Sequence, residues 1–121
     1  MDNKPRAPRY QVGGMSMVYD TGEAFWSGQV IDASESGVFI ETSHELPLGT
    51  RVTLMTHLPE DERLPFEVHA EVVRMNEYDP EANYSRPPGL AFRLLGLTPV
   101  QFQQLRSFLE ERGVPVRGPG A

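Results

Sequence analysis

The sequence predicts a small, mainly β domain of six antiparallel strands followed by one α-helix. Six short apolar segments alternate with clusters of turn residues, a pattern typical of small barrels and sandwiches. The fifth segment alternates between apolar and polar residues from Phe66 to Val72, as a strand with one face in water does. A helix-capping signal and apolar residues at helical spacing follow the sixth segment.

The predicted strands cover residues 15–19, 25–31, 38–42, 52–57, 66–75 and 89–95. Asp20, Thr21 and Gly22 separate the first two strands as a hairpin-type turn. Residues 32–37 connect the second strand to the third, and a charged tip at residues 60–63 connects the fourth to the fifth. A loop rich in Asp, Pro, Asn and Ser, residues 76–88, precedes the sixth strand. Both of these longer connections read as ordinary solvated loops or as contact surfaces.

The helix is predicted from its ends. Thr98 is a suitable N-cap, Pro99 takes the first helical position, and Gln101 completes a capping box. Gly113 follows as a C-cap, and Pro115 prevents continuation. The apolar stripe, which we expect to cover one open end or side of the barrel, consists of Phe102, Leu105, Phe108 and Leu109.

Length, charge and composition narrow the class of protein. The chain has 121 residues, enough for one domain, which we divide into a flexible basic arm (1–9), a barrel with its helix (10–112) and a disordered tail (113–121). It has no cysteine and a net charge of −6. The absence of cysteine suits a cytoplasmic location. The negative net charge argues against binding to nucleic acid polymers. No segment approaches the ~20 apolar residues of a membrane span. We expect no metal site, because the three histidines lack ligand partners at suitable spacing.

Residues 32–37 read Asp-Ala-Ser-Glu-Ser-Gly. Asp and Ser side chains can bond to main-chain amides, and Gly37 can take a positive φ, so these residues favour a turn. Their order also matches the D/N-x-S-x-x-G signature of the PilZ domain family. The chain resembles that family from about residue 5 to residue 112, with a basic segment first and a helix last. The resemblance implies a six-stranded antiparallel PilZ-type barrel and binding of cyclic di-GMP.

The resemblance also implies the binding residues. Asp32, Ser34 and Gly37 match the signature loop, and Arg9 matches the second arginine of the family's R-x-x-x-R motif. Pro5 stands where the first arginine is expected. Because two prolines favour polyproline II in this segment, with three residues per turn, side chains at positions 6 and 9 return to one face about 9 Å apart. We therefore expect Arg6 to replace the missing arginine.

Two functions remain open at this point. In the first, the chain is a cyclic di-GMP receptor that changes its surface on binding and so regulates a partner protein. In the second, it is a degenerate interaction module that never binds nucleotide and constitutively docks a motility, polarity or signalling partner. Nothing in the sequence nominates an enzyme or a cofactor, because the motifs of hydrolases, P-loop proteins and zinc proteases are missing. Trp26 is expected to pack near the signature loop, in the core or at its rim.

Overall fold

The computed structural model describes residues 8–57, 65–77 and 87–116. The predicted tip at 60–63 and most of the loop at 76–88 lie outside these residues. The elements, in chain order, are β1 (Tyr10–Gln11), β2 (Ser16–Asp20), β3 (Phe25–Ala33), β4 (Gly37–Glu41), β5 (Arg51–His57), β6 (Pro65–Asn76), β7 (Gly89–Leu95), α1 (Pro99–Arg112) and β8 (Val114–Pro115). The six long strands agree with the predicted ones to within two residues at each end.

These six strands form a closed antiparallel barrel. Their order around the ring is β2, β5, β6, β7, β4 and β3, and β3 pairs with β2 to close it. The fold class predicted from the sequence is therefore confirmed. The alternation along β6 places Val68, Ala70 and Val72 in the core, while Glu67 and His69 face solvent. Closure gives each of the six strands two neighbours, which removes the unpaired edges that favour aggregation.

The long strand β3 serves two partners. Its first part, from Phe25 to Gln29, pairs with β2, and its last two residues pair with β1. The strand β1 pairs on its other side with β8. Val116 also donates its N–H to the carbonyl of Arg9 at 2.9 Å.

The β1–β8 pairing corrects our expectation for the tail. We predicted disorder from residue 113, yet Val114 and Pro115 form a strand, because the residues before β3 offer them a backbone to pair with. Residues 117–121 and 1–7 lie outside the described residues, so the boundaries of the arm and of the tail stay predictions.

The helix closes one end of the barrel. Thr98 and Gln101 form the predicted capping box. Leu105, Phe108 and Leu109 are at most 4 % exposed and belong to the barrel core, which confirms that part of the apolar stripe. Phe102, in the first turn, is 37 % exposed, so the buried stripe is shorter than predicted.

The helix packs where β3 ends and β4 begins. The buried helix residues share a small apolar space with Ala33 and Val38, which are the last residue of β3 and the second residue of β4. We call this the helix end of the barrel and the opposite one the far end. The signature loop, which connects β3 to β4, is therefore at the helix end.

Candidate functional site

An ion pair joins the amino-terminal segment to the barrel at the signature loop. Arg9 donates from Nε to Oδ1 of Asp32 at 2.8 Å, and its Nη2 also contacts that oxygen. The backbone places the two residues together, because the carbonyl of Arg9 bonds to Val116 while the next residues pair with the end of β3. Both side chains remain partly exposed. The structure thus brings together two of the five residues predicted to bind a ligand.

A β-bulge turns Asp32 toward the outside of the barrel. Val30 is opposite Ile40 on β4, but the next paired residue is Asp32, opposite Phe39, so Ile31 is an extra residue. Side chains alternate between the two faces of a regular strand, and a bulge shifts that alternation by one residue. With Val30 in the core, a regular strand would point Asp32 inward as well. The bulge therefore makes this carboxylate available on the surface.

Ser34 holds the turn of the signature loop. Its side chain is almost fully buried, and its Oγ accepts hydrogen bonds from the N–H groups of Ser36 and Gly37, both at 3.2 Å. The N–H of Ser34 donates to the carbonyl of Gly37 at 2.8 Å. The carbonyl of Ser36 in turn accepts from Leu94 on β7. This hydroxyl fixes the loop backbone between two strands of the barrel.

Gly37 is required for a different reason from the one we expected. The sequence allowed it a positive φ, but among the glycines that the structure describes the ones with positive φ are Gly14, Gly22, Gly49 and Gly96. At Gly37 a Cβ atom would instead lie 2.8 Å from the carbonyl oxygen of Phe92 on β7. Close approach of two strand backbones therefore explains this residue of the signature.

The predicted partner of Arg9 falls on a residue that the structure does not describe. Arg6 lies outside the described residues, so its pairing with Arg9 stays a prediction.

A cleft of about 120 Å³ runs from Pro8 and Tyr10 toward Glu35 and the helix. On the helix side, the carboxylate of Glu110 accepts from Nε of Arg106 at 3.0 Å. It raises the pKa of that guanidinium, and Glu35 adds to the effect.

Trp26 does not pack near the signature loop, contrary to our expectation. It lies at the start of β3, at the far end of the barrel. Its ring stacks on His44, with 3.8 Å between the ring centroids, and also on Tyr19 at 5.8 Å. Because β3 is nine residues long, a residue at its start is separated from Asp32 by most of the barrel's height.

Sequence reasoning missed both the bulge and the pairing of β1 with β8. A signal for the bulge was present in the sequence, because Val30 and Ile31 are neighbouring apolar residues that interrupt the alternation before Asp32.

Within the described ranges, no three His, Cys, Asp or Glu side chains are grouped as metal ligands would be. The longest described helix has 14 residues, and none could cross a membrane.

Comparison with known proteins gives a consistent result. A family model described as PilZ domain matches residues 3–111. The solved PilZ domain with c-di-GMP of YcgR from Escherichia coli is similar, with a TM-score of 0.68 and 18 % identity over 91 % of this chain and 92 % of that one. The Bacillus subtilis inhibitor of motility (MotI/DgrA) has a TM-score of 0.70 and 17 % identity, over 93 % of this chain. The match spans 51 % of that protein, about half its length. No curated protein matches the sequence.

Proposed function

Since the chain belongs to the PilZ domain family, we propose that it is a receptor for cyclic di-GMP that changes its surface on binding and thereby regulates a partner protein. The observation that carries the proposal is the ion pair between Arg9 and Asp32 beside the signature loop. It places a guanidinium and a carboxylate together on the outside of the barrel, and the similar YcgR domain was solved with that nucleotide.

The chemistry of the pair suits a guanine nucleotide. A guanidinium is flat, stacks on bases and donates to phosphate or to the O6 and N7 atoms of guanine. A carboxylate has about four acceptor positions on two oxygens, and guanine N1–H and N2–H need acceptors. Both contacts of Arg9 with Asp32 use Oδ1, so Oδ2 is the atom that we assign to the base.

The remaining predicted residues have supporting roles in this proposal. Ser34 holds the loop through two backbone amides, and Gly37 lets the loop backbone reach β7. Arg6 would add a second guanidinium from the arm. Binding would order the arm before Arg9 against the barrel, where Arg9 and Tyr10 already make contacts. This would create the surface that the partner recognises, as in other disorder-to-order switches.

Calorimetry with cyclic di-GMP tests the proposal. We expect wild type to bind and both Arg9→Ala and Asp32→Ala to lose roughly ten- to hundredfold in affinity, the equivalent of about 1.5–3 kcal/mol for a charged hydrogen bond. Arg51→Ala is the matched control, because Arg51 lies on β5 and is 74 % exposed. It should bind within about twofold of wild type, as expected of a surface substitution worth under ±0.5 kcal/mol.

No heat from wild type at high micromolar nucleotide would argue for the alternative interaction module. Equal affinity of Arg9→Ala and Arg51→Ala would instead refute the assignment of the Arg9–Asp32 pair to the nucleotide site. Pro5, in place of the family's first arginine, is the feature that favours the interaction module. Hydrogen exchange in the same titration follows the arm: amides of residues 4–10 should slow on binding, and unchanged exchange at saturation would exclude the switch.

A further inference from the structure

Two bulges shape the outer surface of the barrel next to the site. The first, at Ile31, exposes Asp32. The second lies on β6, where Val72 is opposite Phe92 but the next paired residue is Arg74, opposite Ala91. Val73 is the extra residue and is 45 % exposed. In a regular strand Arg74 would lie on the same face as the core residue Val72 and point inward. The second bulge, like the first, therefore moves a charged side chain to the outside.

The two bulges bring these charges into one cross-strand row. Asp32 is opposite Phe39, Phe39 is opposite Ala91, and Ala91 is opposite Arg74. The row crosses β3, β4, β7 and β6, and three strand spacings separate its ends by about 14 Å. One end therefore carries the Arg9–Asp32 pair, and the other carries a second guanidinium.

Phe39 is the floor between the two ends. It is only 4 % exposed, yet it does not belong to the cluster of core side chains that fills the barrel. Its neighbours Val38 and Ile40 belong to that core, so alternation places Phe39 on the outer face. The guanidinium carbon of Arg74 lies 5.9 Å from the centre of its ring, within the range of a cation–π contact. The guanidinium of Arg74 thus lies over this part of the outer surface.

The next row supplies another cation. Gly37 is opposite Arg93, and Arg93 is opposite Glu71. Nη2 of Arg93 donates to Oε1 of Glu71 at 2.7 Å. That contact uses one of the five N–H donors of the guanidinium.

We infer that Arg74 and Arg93 form a second cationic edge of the nucleotide site, on the opposite side of Gly37 and Phe39 from Asp32. The inference rests on the proposed function. The Arg9–Asp32 pair would bind one half of cyclic di-GMP, and Arg74 on β6 and Arg93 on β7 would bind the other half. Arg74 can stack on a base, and Arg93 can donate to a phosphate or to a guanine edge.

The experiment compares three arginines that differ in their distance from the site. Arg93 and Arg51 contact the same carboxylate, Glu71, from opposite sides. Their alanine variants therefore change the net charge equally and remove the same partner. In calorimetric titrations with cyclic di-GMP, we expect Arg93→Ala and Arg74→Ala each to bind roughly ten- to hundredfold more weakly than wild type. Arg51→Ala should stay within about twofold.

The outcomes separate this inference from the function on which it rests. If wild type does not bind, the proposed function fails. If Arg9→Ala weakens binding while Arg74→Ala and Arg93→Ala bind as tightly as Arg51→Ala, the function stands and the second edge is refuted. Arg74→Lys guards against loss of packing over Phe39, because lysine keeps the charge and an aliphatic stem but not the planar fork. Wild-type affinity in this variant would also count against stacking by Arg74.

Discussion

Replacing Gly37 by alanine tests the structural reason for the last residue of the signature. The added Cβ would lie 2.8 Å from the carbonyl oxygen of Phe92, a backbone atom that cannot move without moving β7. Overpacking of this kind costs about 1–3 kcal/mol. For 121 residues the entropy of unfolding is about 0.25 kcal/mol/K. The expected decrease in Tm is therefore about 4–12 °C.

Gly13→Ala is the matched control. Gly13 is exposed, lacks a positive φ, and has no atom within 4 Å of the position of an added Cβ. Alanine there should be neutral, or stabilising by about 0.4–1 kcal/mol through the unfolded chain. Urea denaturation of both variants and of wild type gives the free energies, with an unchanged m-value as the check on two-state unfolding.

Gly37→Asn distinguishes close approach from a left-handed backbone. Asparagine tolerates positive φ better than alanine does, so it would be the milder substitution if φ were the reason for glycine. With Phe92 in the way, we expect asparagine to cost at least as much as alanine. The reasoning is refuted if Gly37→Ala is as stable as Gly13→Ala, or if asparagine restores most of the lost stability.

Two further predictions concern buried polar groups. Ser34→Ala removes the acceptor of two loop amides and should lower the free energy of unfolding, measured in urea, by about 1–3 kcal/mol. Ser36→Ala, at an exposed position, should change it by no more than about 0.5 kcal/mol. Equal effects of the two substitutions would contradict the role of Ser34. Burial raises the pKa of the Tyr19 phenol above 10.0, although its hydrogen bond with Thr42 lowers it in part. The folded state therefore holds this proton more tightly than the unfolded state. The resulting stability is fully present below pH 10 and is lost as the pH rises through the folded-state value. Tyr19→Phe should flatten this decline, and an unchanged slope would be the contrary result.

Local patterns predicted most of the fold. The six barrel strands follow from runs such as Phe66 to Val72, whose period of two depends on neighbouring residues alone. The helix follows from Thr98, Pro99 and Gln101, which satisfy its first turn locally. Which helix residues are buried was harder to predict. The partly exposed Phe102 lies on the same helical stripe as the buried Leu105 and Leu109.

Cross-strand geometry explains what the sequence did not reveal. The face on which Asp32 and Arg74 lie depends on the registers of β3 with β4 and of β6 with β7, which no local pattern specifies. The reason for Gly37 lies in Phe92, 55 positions later in the chain by residue number. The strand at Val114 exists because the start of the chain passes beside it. Each of these features depends on contacts between residues far apart in the sequence, which only the folded barrel brings together.

The position of Trp26 determines which optical signal can be used on this protein. It is the sole tryptophan, and Asp32 lies six positions further along β3, which is about 20 Å along a strand. Its indole ring is stacked on the imidazole of His44, with 3.8 Å between the ring centroids, so we expect its emission to depend on that contact. Intrinsic fluorescence is consequently a good monitor of unfolding at the far end, and a flat fluorescence titration says nothing about whether a nucleotide has bound at the other.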